Sequence, residues 1–163
     1  MLKSLLTLGA VMVVYVSTVQ AMGPGMIGKP APTFTLKTIN GRSAISLDDV
    51  RGKVVIIDFW ATWCAPCRRS LPRLAALETG NSSLKLLAIN VDDDRENAVD
   101  FLRRYHLNLT SLYDETKLVA DRYDVPEMPS ALIVDKLGVV RFVHAGYNES
   151  DIELMKKEIE GLL

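Results

Sequence analysis

The chain has 163 residues, 48% of them hydrophobic and 24% charged, with a formal net charge of −1. That length and composition suit one globular domain with a buried core. Near-neutral charge leaves no electrostatic footprint for nucleic acid, and Arg68-Arg69 and Arg103-Arg104 are read as solvated helix faces.

The first 21 residues differ in kind from the rest. Lys3 precedes a mostly apolar stretch from Leu5 to Val16, followed by Ser17, Thr18 and Val19-Gln20-Ala21. This is the layout of a signal peptide over residues 1–21, with the mature domain over 22–163. The stretch falls short of the about 20 apolar residues that a spanning helix needs. An uncleaved membrane anchor is the alternative, if Ser17, Thr18 and Gln20 are tolerated near the interface. Either way the domain is expected outside the cytoplasm, in a periplasmic or other extracytoplasmic, oxidising compartment.

Met22 to Pro32 is rich in Gly and Pro and reads as a loose lead-in. Thr33–Lys37 and Ser43–Ser46 alternate apolar and polar residues around Asn40-Gly41, which predicts an N-terminal β-hairpin. Leu47–Gly52 is a short turn or a single helical turn. Val54–Trp60 is an apolar run that predicts a buried strand, followed by a helix from about Cys64 toward Thr79. Pro66 is acceptable in a first helical turn, whereas Pro72 is expected to kink the helix. Leu84–Val91 predicts a second buried strand. Asp92-Asp93-Asp94 then caps a helix carrying Ala98, Phe101, Leu102 and Tyr105; a metal site at these aspartates is the weaker reading. A shorter helix is predicted over Thr116–Tyr123. Ala131–Asp135 and Val139–Ala145 form a second hairpin around Lys136-Leu137-Gly138, and Ile152, Met155, Ile159 and Leu162 mark a C-terminal amphipathic helix. The order predicts an α/β domain with a mixed central sheet and helices on both faces.

Cys64 and Cys67 are the only cysteines. A bridge closing so short a loop removes little chain entropy, so it is a poor staple. At the junction of a strand and a helix N-terminus, the unpaired backbone N–H groups and the helix dipole favour a thiolate. The pair therefore reads as a redox centre.

The run Asp58-Phe59-Trp60-Ala61-Thr62-Trp63-Cys64-Ala65-Pro66-Cys67-Arg68, set in this order of elements, resembles the thioredoxin superfamily. Gly28-Lys29-Pro30-Ala31-Pro32 and Phe34 before a hairpin are similar to its exported TlpA/ResA-like branch. Pro72 matches the kinking proline of the active-site helix, and the interval from Cys67 to Pro129 exceeds that of thioredoxin by a βα insertion. The resemblance runs from about Gly28 to Leu162. Two positions depart from the branch: Ser70 stands where many members carry glutamate, and Asp58 stands where many carry a neutral residue and thioredoxin carries a buried aspartate.

The resemblance implies a thioredoxin fold and a protein-disulfide reductase. Cys64, at the more exposed end, is the expected nucleophile, and Cys67 then attacks the Cys64 sulfur to release reduced substrate. Asp58, flanked by Ile56-Ile57 and Phe59-Trp60, is expected to be buried and to accept the proton of Cys67; an exposed or edge-strand aspartate is the alternative. Trp60 and Trp63 are expected to pack around the site, with Trp63 on the substrate rim. The resemblance makes Pro129 the candidate cis-proline, with Pro126 the competitor, and has Met128 offer its backbone to an extended substrate. It implies exported protein-disulfide substrates, cytochrome c apoproteins among them, a membrane thiol reductase as electron donor, a monomeric state and no cofactor. His106, at a helix end, and His144, on a strand, are too far apart for zinc spacing, so no metal is expected. Two rivals remain. A peroxiredoxin-like peroxidase shares the opening Gly-Lys-Pro-Ala-Pro but needs Pro-x-x-x-Thr-x-x-Cys; a copper-binding assembly factor needs Cys-x-x-x-Cys with a placed histidine.

Overall fold

The computed structural model describes residues 24–163; the segment read as a signal peptide, 1–21, lies outside them. The chain runs β1 (Thr35–Thr38), β2 (Ala44–Ser46), β3 (Val54–Trp60), α1 (Cys67–Glu78), β4 (Leu84–Asn90), α2 (Arg95–Arg104), β5 (Ser111–Tyr113), α3 (Leu118–Arg122), β6 (Ser130–Val134), β7 (Val140–Ala145) and α4 (Glu149–Glu160). These strands join one seven-stranded sheet in the order β2-β1-β5-β4-β3-β6-β7. β3 lies inside it, parallel to β4 and antiparallel to β6. All its residues are buried, as a run that is apolar except for Asp58 requires of a strand covered on both faces.

Alternation along β3 sorts the helices. The Phe59 ring meets Tyr123, at the end of α3, with centroids 5.4 Å apart. Its neighbour Trp60, on the opposite face, meets Phe101 of α2 at 5.3 Å. Val54 and Ile56, on the Trp60 face, pack with Leu74 of α1, Ile133 of β6, and Ile152, Met155 and Ile159 of α4. Each such aliphatic side chain contributes about 1.5–3 kcal/mol by leaving water. Helices α1, α2 and α4 thus cover one face, and α3 covers the other with Phe34 from the segment before β1.

The structure refines several expectations. β5 is a strand where the sequence suggested none; three residues are too short to carry a period. It pairs with both β4 and β1 and so ties the N-terminal hairpin to the sheet. Between α1 and Pro129 the chain consequently forms two βα units, β4–α2 and β5–α3. α3 has only five residues because Lys117 before it takes φ +62°, outside helical space. The lead-in is also less loose than its composition suggests. Gly28 N–H donates to the Val140 carbonyl (2.8 Å), and Ala31 N–H to that of Gly138 (2.9 Å), which fastens it along β7. Gly138 turns the β6–β7 hairpin at φ +83°, a region glycine enters without steric cost.

Candidate active site

β3 delivers the chain from the interior to the head of α1 through the loop Ala61–Pro66. Helix α1 begins at Cys67, three residues later than the sequence suggested, with Pro66 as its N-cap. Cys64 therefore lies in the loop just ahead of the helix. Its sulfur is bonded to that of Cys67, with S–S 2.00 Å and Cα–Cα 5.3 Å. The backbone N–H of Cys67 points at Cys64 Sγ, 3.1 Å away. A helix-terminal donor aimed at this sulfur is the arrangement that favours its thiolate once the ring opens. Cys64 keeps 4% exposure and Cys67 none.

The loop is held from behind by Asp92, which follows β4. Its carboxylate accepts from Thr62 N–H (3.1 Å), Thr62 Oγ1 (2.9 Å) and Asn90 Nδ2 (2.8 Å). The aspartate run divides its labour: Asp94 caps α2 by accepting from Glu96 N–H (3.0 Å), while Asp92 braces the redox loop.

Asp58, two residues before the end of β3, is wholly buried. Its register partners are Ala88 on β4 and Ala131 on β6, so each neighbouring strand offers it only a methyl group. Among the described residues no donor reaches either carboxylate oxygen. Burial alone pushes its carboxyl well above the ordinary value of 3.8. Asp58 lines a small void with Ser70 and Leu74, which lie one and two turns beyond Cys67 on α1, and with Pro129. The Ser70 hydroxyl donates to the Cys67 carbonyl at 3.3 Å.

On the other side of the ring the protein is open. Trp63 is 69% exposed. It lines a cleft of about 470 Å³ with Met128, Val91, Asp93, Lys117 and Asp121. Met128 also packs against the apolar cluster that contains Cys64. The Met128–Pro129 peptide is cis, the only such bond among the described residues, and Pro126 lacks one.

The structure brings the sequence-nominated residues to one end of β3. Cys64 and Cys67 form the ring, Asp58 and Pro129 share the void behind it, and Trp63 and Met128 share the cleft beside it. Trp60 is buried beneath, its indole Nε1–H donating to Ser111 Oγ (3.3 Å). His106 follows α2, and His144, whose Nε2 pairs with Glu158 at 2.7 Å, lines the void with Asp58 and Pro129. Sequence reading missed Asp92 as the brace of the loop. Nothing in three consecutive aspartates says which one turns inward.

The sequence matches the AhpC/TSA family over residues 27–143. It is 35% identical over 137 residues to the thioredoxin-like protein YneN of Bacillus subtilis (strain 168), covering 82% of this chain and 76% of that protein. It is 33% identical over 128 residues to the thiol-disulfide oxidoreductase ResA of the same organism, covering 77% of this chain and 71% of the relative. A crystal structure from Chlorobium tepidum, assigned to the thiol:disulfide interchange protein DsbE, superposes with a TM-score of 0.79 at 30% identity, covering 83% of this chain and 96% of that one. A buried strand running into a two-cysteine ring at a helix head agrees with these matches, and the chain belongs to the AhpC/TSA family, in the ResA-like part of the thioredoxin superfamily.

Proposed function

We propose that this protein is an exported thiol–disulfide oxidoreductase that reduces disulfides in other exported proteins. The observation that carries this reading is the Cys64–Cys67 ring at the head of α1, with the Cys67 N–H directed at Cys64 Sγ. In the reduced enzyme the Cys64 thiolate attacks one sulfur of a substrate disulfide. A Cys64–substrate bond forms, the substrate S–S bond breaks, and the first substrate thiolate leaves. Asp58 takes the proton of Cys67, whose thiolate attacks Cys64 Sγ and expels the second substrate thiolate. Two electrons pass from the enzyme to the substrate, and the ring closes. A dithiol donor, a membrane thiol reductase, returns the electron pair.

Trp63 forms the rim against which the substrate lies, and Met128, with its cis bond to Pro129, offers backbone groups to an extended segment. Apoproteins of c-type cytochromes, whose paired cysteines must be reduced before haem attachment, fit this role, and the enzyme works as a monomer. The apolar N-terminal segment supports an extracytoplasmic location, by a cleaved signal or a retained anchor. The names of its relatives support the chemistry.

The deciding experiment equilibrates the protein with glutathione and thioredoxin-type standards and assays reduction of a peptide disulfide. A reducing potential, with turnover abolished by Cys64→Ser, is expected. A potential as oxidising as that of dedicated disulfide-forming enzymes would reverse the direction of electron flow. Turnover of hydrogen peroxide would favour a peroxidase instead.

A further inference from the structure

The void behind the disulfide contains two polar groups with nothing to bond. Besides the carboxylate oxygens of Asp58, the Tyr147 hydroxyl is buried and finds no partner among the described residues. Both side chains line the same void. A buried polar group left unpaired costs about 1–3 kcal/mol, and native proteins satisfy nearly all such groups with protein or water.

The sheet register explains why the void exists. Asp58 on β3, Ala131 on β6 and His144 on β7 stand opposite one another in a row. The middle residue is an alanine, which leaves space above the sheet between its two larger neighbours. The space measures about 10 Å³, close to one water-sized sphere. Gly146 N–H donates to the Pro129 carbonyl (2.8 Å) and anchors the chain where Tyr147 turns in over that space.

The other polar groups around the void are already engaged. His144 Nε2 is paired with Glu158 at 2.7 Å. Asp151 accepts from Asn148 N–H at 2.7 Å in the capping box of α4, and Ser70 donates to the Cys67 carbonyl. The rest of the lining includes Leu74, Ile152 and Met155. Tyr147 is thus the unengaged hydroxyl facing Asp58 among the described residues.

We propose that a single water in this void joins the Tyr147 hydroxyl to the Asp58 carboxylate, making Tyr147 a positioning residue for the Asp58 base. The tyrosine O–H donates to the water, and the water donates to a carboxylate oxygen. That bridge favours the ionised carboxylate and so opposes the burial that disfavours it. The charged groups nearby act in both directions. Arg69 of α1, 5.8 Å from the Tyr147 ring centroid, favours ionisation, while Asp151 and Glu158 of α4 oppose it. His144 on β7 is matched to Glu158, and β4 and β6 contribute only Ala88 and Ala131.

This inference rests on Asp58 acting as the base in the resolving step, so the test separates the two. The rate at which Cys67 releases product from a Cys64–peptide mixed disulfide is followed by stopped-flow tryptophan fluorescence across pH. Wild type, Tyr147→Phe, Ala131→Val, Asp58→Asn and the Asp58→Asn/Tyr147→Phe double variant are compared, each checked by thermal melting. Tyr147→Phe is expected to displace the rising limb toward alkaline pH, with the plateau unchanged. At a fixed pH on that limb the rate falls about tenfold, the worth of one hydrogen bond to a charged group. Ala131→Val, which fills the void from the sheet side, produces the same displacement, and the double variant behaves as Asp58→Asn alone. If Asp58→Asn abolishes the limb while Tyr147→Phe overlays wild type, the water bridge is overturned and the base survives. If Asp58→Asn keeps the wild-type limb, Asp58 is not the base and the bridge falls with it.

Discussion

Two aspartates flank the redox loop, and they are buried almost equally: Asp58 is 0% exposed and Asp92 2%. Their surroundings are opposite. Asp92 receives hydrogen bonds from Thr62 and Asn90, whereas Asp58 receives none from the described residues and sits between two alanine methyls. Burial pushes the Asp58 carboxyl up. Burial alone therefore does not decide what a carboxylate does. A carboxylate fully supplied with donors is a brace, and one deprived of them is held protonated to higher pH at a cost in stability, which is what the proposed role of Asp58 as proton acceptor requires.

The largest expected effect removes the ring that both aspartates serve. Cys64→Ser reduces peptide-disulfide turnover to the uncatalysed background, with the fold retained by circular dichroism; appreciable residual turnover would move the nucleophile elsewhere. Next is Asp58→Asn, expected to slow the resolving step about 100-fold at neutral pH, the usual scale of a general base. Its effect on stability runs the other way. Because the folded state holds the Asp58 proton above the ordinary carboxylate value while the unfolded chain has released it, wild-type stability falls as pH rises through that window. Asp58→Asn removes this loss, so above the window the variant is more stable by about 1–3 kcal/mol in urea titrations. A destabilised Asp58→Asn would erase the contrast between the two aspartates.

Asp92→Ala sharpens the contrast from the other side. It strips Thr62 N–H and Asn90 of their acceptor and is expected to cost about 2 kcal/mol of stability, read as a lower urea midpoint. Equal stabilities of Asp92→Ala and wild type would show that the loop holds itself. The smallest effect belongs to the open side of the ring. Trp63→Ala, at a side chain 69% exposed, leaves the melting temperature nearly unchanged and raises KM for a peptide disulfide about tenfold, the loss of one aromatic contact at a binding surface. An unchanged KM would take Trp63 out of the docking rim.

Much of this architecture is legible in the chain itself. The apolar run before the cysteines specifies a strand buried on both faces, and the turn residues around Asn40-Gly41 and Gly138 mark both hairpins. Strand β5 is not legible. Three residues carry no period, and Ser111–Tyr113 is a strand because β4 and β1 lie on either side of it. Helix α1 begins at Cys67 rather than Cys64 for a similar reason: residues 61–66 are spent on the turn that carries the chain from β3 to the helix.

By itself, the sequence determined what is local: the spacing of the two thiols, the apolar faces of strands and helices, and the lone carboxylate within a hydrophobic run. Those features depend on neighbours a few positions away. Only the tertiary structure decided which groups face one another. Thr62 meets Asp92 across 30 positions of chain, and Asp58, Ala131 and His144 align only because three strands pair in one register. A slip of one residue in either pairing would turn the side chains to the opposite face and dissolve the row. The chemistry of each residue is written in its identity, but the partners that tune it are set by how the strands stack.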